Sequence, residues 1–302
     1  MTSPPPSDPL DPDPDGTTPL ETGLAALRAG DLDRALGGFV AAEAAAARAG
    51  DAEARSAALR HQSFVWRQRA DWERALDCAE RAIAEAEAAG LRDATAEALN
   101  AKATVFQAQG DFAQAEPILR QAAEVSFDRR VQALAYANLG AIAAERGDLG
   151  QARQHFLAAA ERFRRAGYHF GEAVTLNNFS RAALDVGNAR LALPMLQDAR
   201  AAARLAADAE LLGIVLTNLA EAHERLGEAA EGEREGEEAL TIFMRLANHV
   251  RRAECLRVLG VLAASRGDRS LARARFESAL EAADAAGTIP ERARIEEALK
   301  SL

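Results

Sequence analysis

Small and large apolar residues along this chain fall in a fixed register set by short turn signals. These stand at Gly30-Asp31, Ala70-Asp71, Gly110-Asp111, Gly147-Asp148, Gly187-Asn188, Gly227-Glu228 and Gly267-Asp268, with spacings of 40, 40, 37, 40, 40 and 40 residues. At each, a Gly or Ala closes one helix, and the next residue is a good N-cap in six of seven cases, Glu228 being the exception. A second break falls about twenty residues after each turn, at Gly50-Asp51, Gly90-Leu91, Gly167-Tyr168, Ala207-Asp208, Asn248 and Gly287. Each unit is thus predicted to be a hairpin of two helices of similar length.

Counting from the turns gives the packing code. Five residues on stand Ala35, Ala75, Ala115, Ala152, Ala192, Gly232 and Ala272; twelve residues on stand Ala42, Ala82, Ala122, Ala159, Ala199, Ala239 and Ala279. Positions seven apart share one helix face, so small side chains at both let that helix approach its neighbours closely. Large groups fill the space between, with Phe39, Leu119, Phe156, Leu196 and Phe276 nine residues after the turns and Leu139, Phe179, Leu219 and Leu259 eight before them. Small against large is how helices interdigitate. One hairpin alone cannot bury its apolar faces, so the units are expected to stack into a solenoid.

The pattern divides the chain into residues 1–19, a Pro/Asp-rich segment expected to be disordered; 20–287, seven hairpins; and 288–302, a terminal half-repeat read as a capping helix. Thr288-Ile289-Pro290-Glu291 reads as a capping box opening that last helix. Three departures stand out. Lys102 occupies a slot where other units have Leu or Phe. Gly232 and Gly236, amid glutamates at 228, 231, 233, 235, 237 and 238, mark the sixth unit's second helix as the weakest. The 37-residue spacing removes nearly one helical turn near Ser126 to Arg130, so the pitch is expected to change there.

Composition supports an all-helical chain and narrows its partners. Apolar types are 49% and aromatics only 5%, which suits interiors of Ala and Leu in close-packed helices. A net charge of −10 lacks the basic footprint of nucleic-acid binding. No segment reads as a membrane span or an export signal, so a cytoplasmic location is expected. Cys78 and Cys255 are too few for a disulfide framework or a four-ligand zinc site and read as buried apolar side chains. The five histidines form no HExxH pair, and no phosphate-cradling glycine loop occurs. No cofactor, metal or catalytic constellation is expected, and the chain is read as non-enzymatic.

Gly-Asp followed by Ala at five, a large apolar residue at nine and Ala at twelve resembles the tetratricopeptide repeat, as does Asn138-Leu139-Gly140 with its following Gly147. The 40-residue units are similar to the longer variety in kinesin light chains and bacterial regulatory arrays. Ala115-Glu116-Pro117-Ile118-Leu119 and Ala192-Leu193-Pro194-Met195-Leu196 strengthen that likeness. The resemblance covers roughly residues 20–302 and implies an all-α, right-handed superhelix of about seven hairpins plus the C-terminal capping helix. HEAT repeats, the structural alternative, carry a different signature.

The resemblance also directs attention to the first helix of each hairpin, which in the family lines the concave face. Nine residues before three successive turns lie Asn138, Asn178 and Asn218, and Asn100 and Asn177 sit one residue earlier in their units. Asn is a mediocre helix former, so the alignment needs a reason. Its amide suits both the main chain of an extended ligand and structural bonds between hairpins. Three and seven residues on, the stripe continues as Ala141 and Glu145, Arg181 and Asp185, then Glu221 and Arg225. Arg181 and Arg225 suit an acidic ligand residue, while Glu145, Asp185 and Glu221 suit pairing with them. Arg60, Arg67 and Arg257 are secondary candidates at the groove's ends. The Lys-Asn-Arg clamp of chaperone-binding members is not reproduced in three consecutive units. The implied function is a scaffold or adaptor for a peptide or protein segment; the alternative is a peptide-responsive sensor acting in trans. Self-association is compatible with both.

Overall fold

The computed structural model describes residues 18–302; the Pro/Asp-rich segment falls outside the described residues except for Thr18 and Pro19. These two already belong to the first helix, where Thr18 caps and Pro19 takes the first position. Thr18 N donates to Glu21 Oε2 at 2.8 Å and Glu21 N to Thr18 Oγ1 at 3.2 Å, a reciprocal capping box. Among the described residues there are fifteen helices and no strand.

Among the described residues the helices divide between two compact units, one ending at Ile142 and the other spanning residues 143–302. The first holds α1 (Pro19–Arg28), α2 (Leu32–Ala49), α3 (Ala52–Gln68), α4 (Trp72–Ala88), α5 (Arg92–Ala108), α6 (Phe112–Val125) and most of α7 (Arg129–Glu145). The second holds α8 (Leu149–Arg165), α9 (His169–Asp185), α10 (Ala189–Leu205), α11 (Ala209–Leu226), α12 (Ala229–Arg245), α13 (His249–Ser265), α14 (Arg269–Ala286) and α15 (Ile289–Lys300). Within each unit consecutive helices pack as antiparallel hairpins, and α3 with α5, or α9, α11, α13 and α15 in series, also touch one another.

The turns form as their residues dictate. Asp31, Asp71, Asp111, Asp148, Asn188 and Asp268 each accept from the backbone N–H three residues on, at 2.9–3.2 Å. Glu228 makes no such cap and instead meets His223 Nδ1 at 2.7 Å. Ala70, Ala207 and Ala247 adopt the left-handed backbone that Gly takes at the other turns, with φ of 51–56°. The capping box expected at Thr288 and Glu291 is corrected: Thr288 makes no side-chain cap, and Glu291 is buried.

Small residues occupy the tightest places. Of the alanines five and twelve residues after the turns, all but Ala42 are 0% exposed. Phe39, Leu119, Leu196, Phe276, Phe179 and Leu219 fill the space beside them, also buried. In α12, Gly232 and Gly236 make room for larger partners: a Cβ on them would stand 2.9 Å from Leu262 Cδ2 and 2.6 Å from Leu259 Cδ2. The helix runs unbroken, and its glutamates are tied to neighbours. Glu235 and Glu238 pair with Arg200 and Arg204 of α10 at 2.7 and 3.2 Å, Glu237 with Arg275 of α14, and Glu233 with Arg266. Lys102 keeps its slot by reaching Glu80 of α4 at 2.8 Å.

The 37-residue unit shortens α6, which ends at Val125. Asp93 Oδ1 takes up the interrupted backbone there, accepting from Ser126 Oγ at 2.6 Å, Phe127 N at 3.0 Å and Asp128 N at 3.2 Å. Those bonds, that of Ser126 foremost, hold its carboxyl below the usual range. Cys78 and Cys255 are buried, and burial pushes their thiols up to about 11 and about 12. No helix of the described residues is long and apolar enough to cross a membrane.

Neighbouring glycines in α2 separate helix propensity from packing. A Cβ on Gly38 would lie 2.6 Å from Gly23 N and 2.9 Å from Pro19 O, backbone atoms of α1 that no rotamer change can move; nothing lies within 4 Å at Gly37. We expect Gly38→Ala to destabilise by roughly 1–3 kcal/mol and Gly37→Ala to stabilise by roughly 0.5–1 kcal/mol. Urea unfolding followed by circular dichroism measures both, and equal effects would contradict the close α1–α2 contact.

Candidate functional site

The odd-numbered helices of residues 143–302 present one stripe each, and the stripes line a common groove of about 830 Å³. Asn177, Arg181 and Asp185 come from α9; Ile214, Asn218, Glu221 and Arg225 from α11; Glu254, Arg257 and Val258 from α13; Arg294, Glu297 and Ala298 from α15. Along a helix these positions fall mostly three, four, seven or eight residues apart, on one face of an α-helix. They also recur at 40 residues between helices, so that Ile214, Glu254 and Arg294 are equivalent, as are Asn218, Val258 and Ala298.

A connected polar network joins α9 to α11. Asn218, buried, donates through Nδ2 to Asn177 Oδ1 at 2.8 Å and accepts from Arg181 Nη1 at 3.4 Å. Arg181 grips Glu221 with both terminal nitrogens, at 2.6 and 3.1 Å, and its Nε reaches Asp185 at 3.0 Å. Such a fork is the strongest geometry open to an arginine and a carboxylate. Arg225 donates to the same Glu221 Oε1 that accepts from Arg181 Nη2, and also to the Leu184 carbonyl. Burial works to raise the Glu221 carboxyl, but the Arg181 hydrogen bond and charge, with Arg225 and Arg257 behind, bring it below its usual range. Burial likewise works to lower Arg181, and Glu221 reverses it, so the guanidinium is held further toward its charged form.

The remaining sequence candidates divide. Asn178 is exposed and lines a second depression of about 360 Å³ with Phe170, Val174, Leu211 and Ile214; its side chain makes no hydrogen bond within the chain. Asn100 and Asn138 lie in the other unit, in contact with each other: Asn138 Nδ2 donates to Asn100 Oδ1 at 3.5 Å, while buried Asn100 donates to the Ala96 carbonyl at 3.2 Å. The two asparagines one residue early in their units, Asn100 and Asn177, are thus the acceptors for Asn138 and Asn218 of the following hairpins. Arg60 pairs with Glu97 at 2.6 Å and Arg67 lies over the Phe64 ring at 4.9 Å; burial lowers both guanidinium values. Arg257 is in the groove, its Nε 2.7 Å from Glu291. The sequence reading missed Arg251, Glu254, Arg294 and Glu297. The 40-residue register carries the signal for Glu254, Arg294 and Glu297, because they continue the Ile214 and Thr217 slots. Among the described residues no group of three or more His, Cys, Asp or Glu could hold a metal ion.

Consecutive helical hairpins with a repeat-lined groove define a helical-repeat fold. Models of the tetratricopeptide repeat match residues 131–204, 211–285 and 95–126, together more than half of the 302 residues, and the chain belongs to that family. No curated protein matches the chain in sequence. Among solved structures, BtubC (BKLC) from P. vanneervenii is similar at 19% identity over 72% of this chain and 92% of that one, with a TM-score of 0.63. The apo form of RapI is similar at 13% identity over 92% and 79%, with a TM-score of 0.71. A Rap protein complexed with competence and sporulation factor gives 16% identity over 83% and 75%, with a TM-score of 0.56. These likenesses are of fold.

Glu221 has a depressed folded value against an ordinary 4.5. Its stabilising contribution is therefore fully present above that value and is lost as pH falls through the depressed one. We expect Glu221→Gln to lower the melting temperature at neutral pH and to flatten the pH dependence of stability below about pH 4.5. An unchanged neutral-pH melting temperature would show that the Arg181–Glu221–Arg225 pairing contributes nothing.

Proposed function

We propose that this chain is a non-enzymatic scaffold that binds a peptide or an extended protein segment along the odd-numbered helices of residues 143–302. The observation that carries this reading is the exposed Asn178 amide, unbonded within the chain, beside a depression contiguous in lining with the charged groove through Asn177, Ile214 and Arg251. An amide both donates and accepts, so it suits the main chain of a segment of any sequence. The other asparagines already bond neighbouring helices, which gives them a structural task and leaves Asn178 for the ligand. Preorganisation supports binding: Asn218, Arg181 and Glu221 are held in place before anything arrives, which lowers the ordering cost of association.

A second reading is a peptide-responsive sensor acting in trans. Its support is the likeness of fold to a Rap protein solved with competence and sporulation factor. In that reading a ligand rearranges the Asn177–Asn218–Arg181–Glu221 links between α9 and α11. A scaffold keeps its dimensions on binding; a sensor changes its radius of gyration in solution scattering.

The test is selection of a random peptide library on the immobilised intact protein, followed by affinity measurement with a selected peptide. Asn178→Ala is expected to weaken binding by roughly threefold to tenfold, the worth of one net hydrogen bond, with unfolding unchanged. Asn100→Ala is expected to lower the unfolding midpoint and leave affinity intact. Failure to select any peptide, or affinity indifferent to Asn178, rejects the groove as the binding site.

A further inference from the structure

The arginines of the groove differ in what they have left to offer. Arg181 spends every nitrogen on Glu221, Asp185 and Asn218. Arg225 has one terminal nitrogen on Glu221 and the other on the Leu184 carbonyl. A carboxylate arriving at either meets Glu221 already in place, so neither is a free anion receptor. Arg257 is held by Nε alone, 2.7 Å from Glu291 Oε1. Its two terminal nitrogens, the fork that matches a carboxylate end on, make no hydrogen bond.

Glu291 is what makes this arrangement firm. It is 6% exposed, and its second oxygen accepts from Arg294 Nη1 at 3.3 Å. A buried carboxylate shared by two guanidinium groups cannot leave without stranding charge, so it fixes Arg257 on α13 and draws Arg294 of α15 to the same wall. Four other acids face this place. Glu221 has Arg257 within reach of its charge and is already paired with Arg181 and Arg225. Glu254 is occupied by Arg251 at 2.8 Å, and burial pushes the Glu224 carboxyl up. Glu297 is exposed, forms no ion pair and opposes an incoming anion.

We propose that Arg257, positioned by Glu291, receives a carboxylate of the segment bound in the groove, so that α15 forms part of the binding site. This rests on the groove reading above. It moves the acidic contact expected of Arg181 on α9 and Arg225 on α11 to α13, the next odd-numbered helix. The carboxylate is a side chain or a chain terminus, and peptides with free and amidated C-termini distinguish the two.

The experiment is a double-mutant cycle on a peptide selected from a random library by the intact protein. Exchanging the peptide's acidic residue for its amide, or amidating its terminus, is expected to weaken wild-type binding about tenfold. The same exchange is expected to change nothing in Arg257→Met, while Arg257→Lys recovers part of the preference and Glu291→Gln loses part of it. Because Arg257→Met leaves Glu291 with one partner, the paired variant Arg257→Met with Glu291→Gln guards against loss of fold. Glu297→Gln, on an exposed face, is expected to tighten binding of the acidic peptide and leave its amide form unaffected. Selected peptides with no dependence on a carboxylate, or an equal dependence in Arg257→Met, overturn this assignment while sensitivity to Asn178→Ala leaves the groove standing. Failure to select any peptide overturns both.

Discussion

Close approach of helices through alanine is the constraint on which the rest of the structure depends. A methyl group is all that fits where the second helix of each hairpin passes its neighbours, and nearly all of these alanines are fully excluded from solvent. Dispersion and burial reward that closeness over many small contacts. The price is intolerance of bulk, visible where Gly232 and Gly236 stand against leucines that a Cβ would strike. Because the same spacing is imposed in each unit, it also sets the period of everything the inner helices display. Groove residues recur at 40-residue intervals for the reason that the alanines do.

Charge plays a different part on each side of the stack. Between the outer helices α10, α12 and α14 it acts as a set of ties, Arg200 and Arg204 to Glu235 and Glu238, and Arg275 to Glu237. An exposed pair such as Arg204–Glu238 contributes roughly 0–1 kcal/mol, whereas buried Glu235 depends on its partner Arg200; together they turn a run of glutamates into a row of partners. On the inner side Arg181 grips Glu221 with both terminal nitrogens and Arg225 joins them, so that these two guanidinium groups are committed within the chain. Of the five arginines lining the groove, Arg257 keeps both terminal nitrogens free of hydrogen bonds.

The inner network also bears on how binding is felt elsewhere. Asn218, Arg181 and Glu221 connect adjacent hairpins by side chains alone. A ligand that leaves them intact finds a preorganised surface, whereas one that replaces them alters the bond between α9 and α11. Scaffold and sensor thus differ in the fate of a few hydrogen bonds, which the family fold by itself leaves undecided.

The hairpins, their turns and the buried alanines were all legible in the sequence, because each depends on residues near one another along the chain. Six turn residues cap as their identities require, and Glu228, the exception by type, is the exception in structure. The last helix was legible as a half-repeat, and the 40-residue register reaches its Arg294 and Glu297; counting back from turns passes over them because no turn follows that helix. Thr288 and Glu291 show the limit most plainly. At the same spacing, Thr18 and Glu21 close a capping box, while Glu291 is drawn away by Arg257, thirty-four residues earlier. In the same way the asparagine stripe marked polar inner positions, yet only packing decided that Asn218 bonds Asn177 and that Asn178 faces solvent. Local sequence sets backbone geometry and which face of a helix is polar. Partners for long charged and amide side chains are chosen among groups brought close by folding, and that choice belongs to the tertiary structure.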